Sequence, residues 1–170
     1  LPVGITPNGE VKTIAIAPDG SIYIGGSFTM IGAQTFNRIA KIGRYGAGAT
    51  VLGAGLNNEV RALEIDAYGN VIVGGAFTTA GGVNSYRVAV WDTINNTWQT
   101  CGTSLTSGVV NDICWWHENT YILGGGFAST ALGVSTAVAF EKNATGATYS
   151  ALAPADRYIQ GTVDEVERRP

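Results

Sequence analysis

Residues 8–28 read NGEVKTIAIAPDGSIYIGGSF, residues 57–77 read NNEVRALEIDAYGNVIVGGAF, and residues 107–127 read SGVVNDICWWHENTYILGGGF. Val11, Gly25, Gly26 and Phe28 of the first stretch recur 49 residues later as Val60, Gly74, Gly75 and Phe77. They recur 50 residues after that as Val110, Gly124, Gly125 and Phe127. Self-similarity at this period, carried by strand-like segments, points to a propeller or a stacked array of small sheets.

Each copy reads as four strands. In the first, Val11 to Ile16 is a β-branched run, and Pro18-Asp19-Gly20 is a turn in which Pro presets φ and Gly accepts φ > 0. Ser21 to Gly26 is apolar on both faces, as in a strand buried inside a stack. The Gly-Gly doublet implies a bare backbone where another backbone or a large ring comes close, with Phe28 the expected ring. A loop, Thr29 to Asn37, leads to a third strand, Arg38 to Gly43, and a fourth, Thr50 to Gly53. The second copy repeats the order with Val60 to Ile65, Val71 to Gly75, Arg87 to Trp91 and Thr97 to Gly102. The third places its last two strands at Ala137 to Glu141 and Thr148 to Leu152. Four antiparallel strands per repeat is one propeller blade, whose two faces only neighbouring blades can cover.

The second copy also carries VAVWDTINNTW, in which Trp91-Asp92, a turn and Trp98 follow the Gly74-Gly75 doublet. This pattern resembles the kelch repeat. More widely, the order turn, strand, GG, F is similar to kelch-like repeats of large secreted, cell-surface and virion proteins. The resemblance spans residues 8–153 and implies a β-propeller whose work is binding or scaffolding more often than catalysis.

The expected fold is therefore all-β: three four-stranded antiparallel blades within one unit, residues 1–170, with repeats at 8–56, 57–106 and 107–155. Leu1 to Gly4 aligns with Thr50 to Gly53, the last strand of a blade. Gly161-Thr162-Val163-Asp164-Glu165-Val166 resembles Gly108-Val109-Val110-Asn111-Asp112-Ile113, so residues 156–170 read as the start of a further blade or a tail. Three blades do not close a ring of the usual size, about four to eight blades. The expectation is a segment with a partial blade at each end, completed by remaining blades or by other copies, because open sheet faces and edges call for a partner.

Composition agrees with many short strands and Gly-rich turns: 24 of 170 residues are Gly and only 14% are charged. A net charge of −3 without a basic block argues against nucleic-acid binding. Apolar runs are short and broken by Gly, so no membrane-spanning helix is expected, and no basic signal-peptide n-region opens the chain. Cys101 and Cys114 lie 13 residues apart, which leaves both a disulfide and two free thiols open. Two thiols and one imidazole are too few for a zinc site, and a copper site needs several imidazoles.

His117 is the only histidine and falls at the turn between the first two strands of its copy. Glu118 adjoins it, but a catalytic His needs an orienting partner in space, so a surface turn residue is the favoured reading. Asp19-Gly20 and Gly69-Asn70 lack the ligand spacing of a calcium loop and read as turns. Arg38 and Arg87 hold the same slot 49 residues apart and read as structural, pairing with carboxylates between blades or lining a central channel. Trp115-Trp116 replaces Ile65-Asp66 of the second copy; strand alternation puts one ring in the core and Trp116 outward, within reach of a sugar ring or a partner chain. Tyr86, Trp91 and Trp98 read as packing residues. Asn95-Asn96-Thr97 and Asn143-Ala144-Thr145 are N-glycosylation sequons on turns.

No catalytic residue, cofactor or metal is assigned. The expected role is a non-enzymatic structural or interaction module on a virion or another external surface, with protein partners. Alternatives are a carbohydrate-binding propeller using Trp116, and a segment of a propeller enzyme whose catalytic residues lie elsewhere.

Overall fold

A computed structural model of the chain describes residues 4–101, 105–129, 137–143 and 146–151. The expected partial blades at Leu1 to Val3 and at 156–170 lie outside these residues.

Three antiparallel four-stranded sheets coincide with the three repeats. The first holds β1 (Val11–Ile16), β2 (Ile22–Gly26), β5 (Ile39–Ile42) and β6 (Ala49–Thr50), in that spatial order. The second holds β7 (Val60–Ile65), β8 (Val71–Gly75), β11 (Val88–Asp92) and β12 (Thr97–Thr100), in the same order. The third holds β13 (Ser107–His117), β14 (Thr120–Ala128), β15 (Ala137–Asn143) and β16 (Gly146–Ala151). The loops between second and third strands fold into small hairpins that periodicity does not reveal: β3 (Met30–Ile31) with β4 (Gln34–Thr35), and β9 (Thr79–Ala80) with β10 (Val83–Asn84). Both hairpins are anchored by one Asn: Asn8 Oδ1 accepts Thr29 N at 2.8 Å and Met30 N at 2.9 Å, and Asn57 Oδ1 accepts Thr78 N at 2.9 Å and Thr79 N at 3.0 Å. The fourth strand of the first sheet is shorter than expected, two residues at Ala49–Thr50.

The sheets stack through their first strands: β7 packs against β1 and β2, and β13 against β7 and β8. The second sheet buries both faces. Alternate residues Val71 and Val73 join Tyr23 and Ile39 of the first sheet in one core cluster. Ile72, Val88 and Val90 join Ile113, Leu123 and Phe140 of the third in another. Phe28, Phe77 and Phe127 are buried in three successive clusters, one per repeat.

The two glycines of each doublet do different work. The first faces the next sheet. A Cβ on Gly25 would collide with Val60 Cγ1, and one on Gly74 would lie 2.7 Å from Val110 Cγ1 and 2.9 Å from Ile113 Cδ1. The second faces its own first strand, which carries a bulge at the same place in every copy: between Val11 and Thr13, Val60 and Ala62, and Val110 and Asp112. A Cβ on Gly26, Gly75 or Gly125 would run into the carbonyl oxygen of Glu10, Glu59 or Val109. The ring expected against the doublet, Phe28, is therefore not the reason for it. A valine of the following sheet and a bulged carbonyl are.

These contacts set an expectation for stability. Gly74→Ala forces an extra methyl into a filled interface and lowers unfolding free energy by about 1–3 kcal/mol. Gly126→Ala, where a Cβ meets nothing within 4 Å among the described residues, stays within about 0.5 kcal/mol of the parent. Urea midpoints of the two variants check this.

Candidate interaction site

Arg38 and Arg87 sit just before β5 and β11 with φ of 76° and 70°. Arg38 Nη1 donates to the Ser27 carbonyl and Arg87 Nη1 to the Ala76 carbonyl, with Phe77 O a further acceptor for Arg87 at 3.3 Å. Their backbones close the same loop: Gly26 N donates to Arg38 O and Gly75 N to Arg87 O, both at 3.0 Å. The acceptors are loop carbonyls within one sheet, not the carboxylates between blades that were expected. Positive φ keeps each guanidinium folded back over its own loop.

A polar ladder crosses the first strands instead. The bulge residues Lys12, Arg61 and Asn111 supply it. Lys12 Nζ lies 2.9 Å from Glu10 and 3.5 Å from Glu59 of the next sheet. Arg61 pairs with Glu59 and donates through Nη1 to Asn111 Oδ1 of the third sheet at 2.9 Å. The sequence signal for this ladder is the residue after each conserved Val, which repeat matching passes over because its identity changes.

A buried ion pair ties the second sheet to the third. Asp66, its side chain 2% exposed, takes Lys142 Nζ at 2.9 Å. It also accepts Tyr68 N at 2.9 Å, Asn70 N at 2.8 Å and Asn70 Nδ2 at 2.8 Å. Burial pushes the Asp66 carboxyl up; hydrogen bonds from Asn70 and Lys142 outweigh this and hold it below its ordinary value. At the first interface the equivalent positions are Ala17 and Thr93, too short to meet. A cleft of about 310 Å³ opens there, lined by Ala17, Tyr23, Lys41, Tyr68 and Thr93.

The tryptophans divide. Trp91 and Trp98 meet edge-on, centroids 5.2 Å apart. Trp98 Nε1 donates to Leu52 O of the preceding repeat at 2.9 Å, so this pair is packing. Asp92, next to Trp91, accepts Ile94 N and Asn95 N at 2.9 Å and so caps the following turn. Its carboxyl is held low by those bonds, that of Asn95 first. Trp115 and Trp116 both face solvent, 55% and 45% exposed, which corrects the expectation that one of them enters the core. Trp115 is held by a bond from Nε1 to Glu118 O at 3.0 Å, because β13 runs on to a two-residue turn at Glu118 and Asn119. His117 ends that strand rather than lying in the turn, and its ring rests 4.5 Å from Trp116. The hairpin tip is thus an exposed aromatic edge.

Cys101 is buried and Cys114 exposed, and neither is in a disulfide. Burial pushes the Cys101 thiol up to about 12. Asn95 lies exposed on its turn, its Nδ2 donating to Asp92 Oδ2 at 2.9 Å. The second sequon reaches into 144–145, outside the described residues. No helix of the described residues is long and apolar enough to cross a membrane.

Three stacked, antiparallel four-stranded sheets, joined in the same order and packed through their first strands, define a β-propeller domain. Residues 48–167 match the family described as the Rax2 C-terminal beta propeller domain. The chain belongs to that family. Residues 17–43 also match a beta-propeller domain of unknown function, DUF5122. Both matches are propellers and neither is described as kelch. No curated protein matches the sequence.

Two outcomes test this description. Asp66→Ala strips Lys142 and three turn donors of their acceptor and lowers stability by about 3 kcal/mol. Because the Asp66 pKa is depressed on folding, its stabilisation is complete above the ordinary carboxyl value of 3.8 and is lost as pH falls through the lower folded value. Asp66→Asn flattens that acid limb in thermal melts taken across the range. In native protein a thiol reagent modifies Cys114 alone, and Cys101 reacts only after unfolding.

Proposed function

We propose that this propeller segment is a non-enzymatic interaction module, displayed on an external surface such as that of a virion or cell. The supporting observation is the hairpin tip that carries Trp115 and Trp116 in solvent among the described residues. A large aromatic held by its own sheet loses little entropy on docking, which is what a protein-binding edge needs. Two chemically capable side chains of the described residues are committed to the fold. Cys101 is a buried thiol with its pKa pushed up, and Asp66 is spent on Lys142 and turn amides. The Trp91-Asp92-turn-Trp98 arrangement fits a kelch-like blade, with Asp92 capping and Trp98 packing. Asn95 on an exposed turn suits an exported setting.

A carbohydrate reading rests on the same Trp116 ring, which could stack on a sugar face. A glycan array with the parent and Trp116→Ala separates the two. The interaction-module reading expects no glycan signal from either; binding by the parent that Trp116→Ala abolishes replaces it with the lectin. For surface display, intact native protein isolated from its source carries a glycan at Asn95 and loses that mass on enzymatic deglycosylation. An unmodified Asn95 in fully cytosolic protein overturns that part.

A further inference from the structure

Arg38 and Arg87, in the same slot of successive repeats, carry donors that the fold does not use. A guanidinium has five N–H donors and keeps its charge. Arg38 Nη1 donates to Ser27 O, and Arg87 Nη1 to the Ala76 and Phe77 carbonyls. Arg87 Nε is buried with no acceptor among the described residues. Neither arginine enters an ion pair there, whereas Lys12, Lys41, Arg61 and Lys142 each meet a carboxylate. A half-buried charge left unpaired calls for a counter-ion. Beside Arg38 there is room for one. A cleft of about 300 Å³ lies between the first and second sheets, lined by Arg38 with Thr29, Asn37, Ala54, Asn57 and Thr79. The backbone that shapes it is strained: Asn37 and Arg38 are adjacent and both take positive φ, 36° and 76°. Hydrogen bonds hold them there. Arg38 N donates to Phe28 O at 2.9 Å, Leu56 N to Asn37 O at 3.1 Å, and Asn37 Nδ2 to Ala54 O at 2.9 Å.

We infer that this cleft binds a small hydroxycarboxylic acid, with its carboxylate on the Arg38 guanidinium. The planar fork matches a carboxylate, which takes two parallel N–H bonds. A single lining cation suits a single negative charge, where a phosphate dianion calls for more. The walls supply what a neighbouring hydroxyl needs. Thr29 Oγ1 accepts Asn8 Nδ2 at 3.0 Å, which leaves its own O–H to donate. Asn37 Oδ1 receives no donor among the described residues, so it is left to accept. Asn57 is already committed, its Nδ2 to Thr78 Oγ1 and its Oδ1 to Thr78 N and Thr79 N. Among the described residues no ring, carboxylate or lysine lines the cleft, which argues against a nucleobase or a cationic ligand. The volume sits at the low end of ligand cavities, about 300–1,000 Å³, so the acid is small. The cleft lies where the second strands run into the β3–β4 and β9–β10 hairpins, at the opposite end of the strands from the tip that carries Trp115 and Trp116. Acid binding is therefore independent of the proposed interaction edge.

The test is a titration of the full chain with L-lactate, read from amide shifts in proton–nitrogen correlation NMR spectra. Lactate shifts the amides of Thr29, Arg38 and Thr79 saturably; lactamide, of the same shape without the charge, does not. Arg38→Lys keeps a cation that can still donate to Ser27 O but loses the fork. It weakens lactate binding about tenfold, the loss of one charge-assisted hydrogen bond. Ala54→Phe leaves Arg38 in place, fills the cleft with a ring and abolishes the lactate shifts. Unchanged amide positions across β8 and β11 verify that each variant is folded. Lactate shifts that never saturate, equal shifts from lactamide, full affinity in Arg38→Lys, or full affinity in Ala54→Phe overturns the proposal. So does inorganic phosphate bound more tightly than lactate, which makes the cleft a phosphate site.

Discussion

Everything in this chain rests on a valine of one sheet reaching the bare backbone of the sheet before it. Face-to-face sheets ordinarily sit about 10 Å apart, a gap set by the side chains between them. Around a propeller axis that gap must narrow toward the first strands and widen toward the fourth. Glycine on the second strand and large rings on the outer strands make that wedge. At the first interface Gly25 receives Val60 near the inside, while Trp91 and Trp98 fill the outside, where Trp98 bonds to Leu52 O.

The second glycine answers a different demand, within one sheet. A bulge on the first strand places an extra residue at Lys12, Arg61 or Asn111, and the carbonyl two residues earlier faces the doublet. The bulge re-aims that residue's side chain across to the next sheet. Lys12 reaches Glu59 and Arg61 reaches Asn111, so a backbone irregularity repeated three times becomes a polar seam between sheets. The doublet is needed as a pair because packing between sheets and the bulge within a sheet fall on adjacent residues, and adjacent strand residues face opposite ways.

Strand positions were legible because repetition averages over local ambiguity. The spans Val11–Ile16, Val60–Ile65 and Val71–Gly75 stand as expected. The hairpins at β3–β4 and β9–β10 were not legible, since two-residue strands have no period; what holds them is Asn8 and Asn57 capping backbone amides. The doublet was legible, and so was the close backbone approach that its second glycine makes; the valine against its first glycine was not, because a contact between residues 35 apart leaves no local trace. Alternation misled at Trp115-Trp116. It requires opposite faces, but not that either face is covered at a hairpin tip. The carbonyl acceptors of Arg38 and Arg87 were not legible, since both residues take a positive φ that composition does not announce for Arg.

The two interfaces between the sheets are alike in their knobs and unlike in their charges. Both interfaces are built on the same contact, Val60 at Gly25 and Val110 at Gly74. A buried pair gains little net stability, because desolvation offsets most of the attraction, but breaking it is costly. Asp66 and Lys142 occur at the second interface only; Ala17 and Thr93 stand in their places at the first and leave a cleft. Moving the third sheet onto the first would bury Lys142 against Ala17 and strand Asp66 without its cation. The apolar contact is thus common to both interfaces, and the buried Asp66–Lys142 pair is what distinguishes the second from the first.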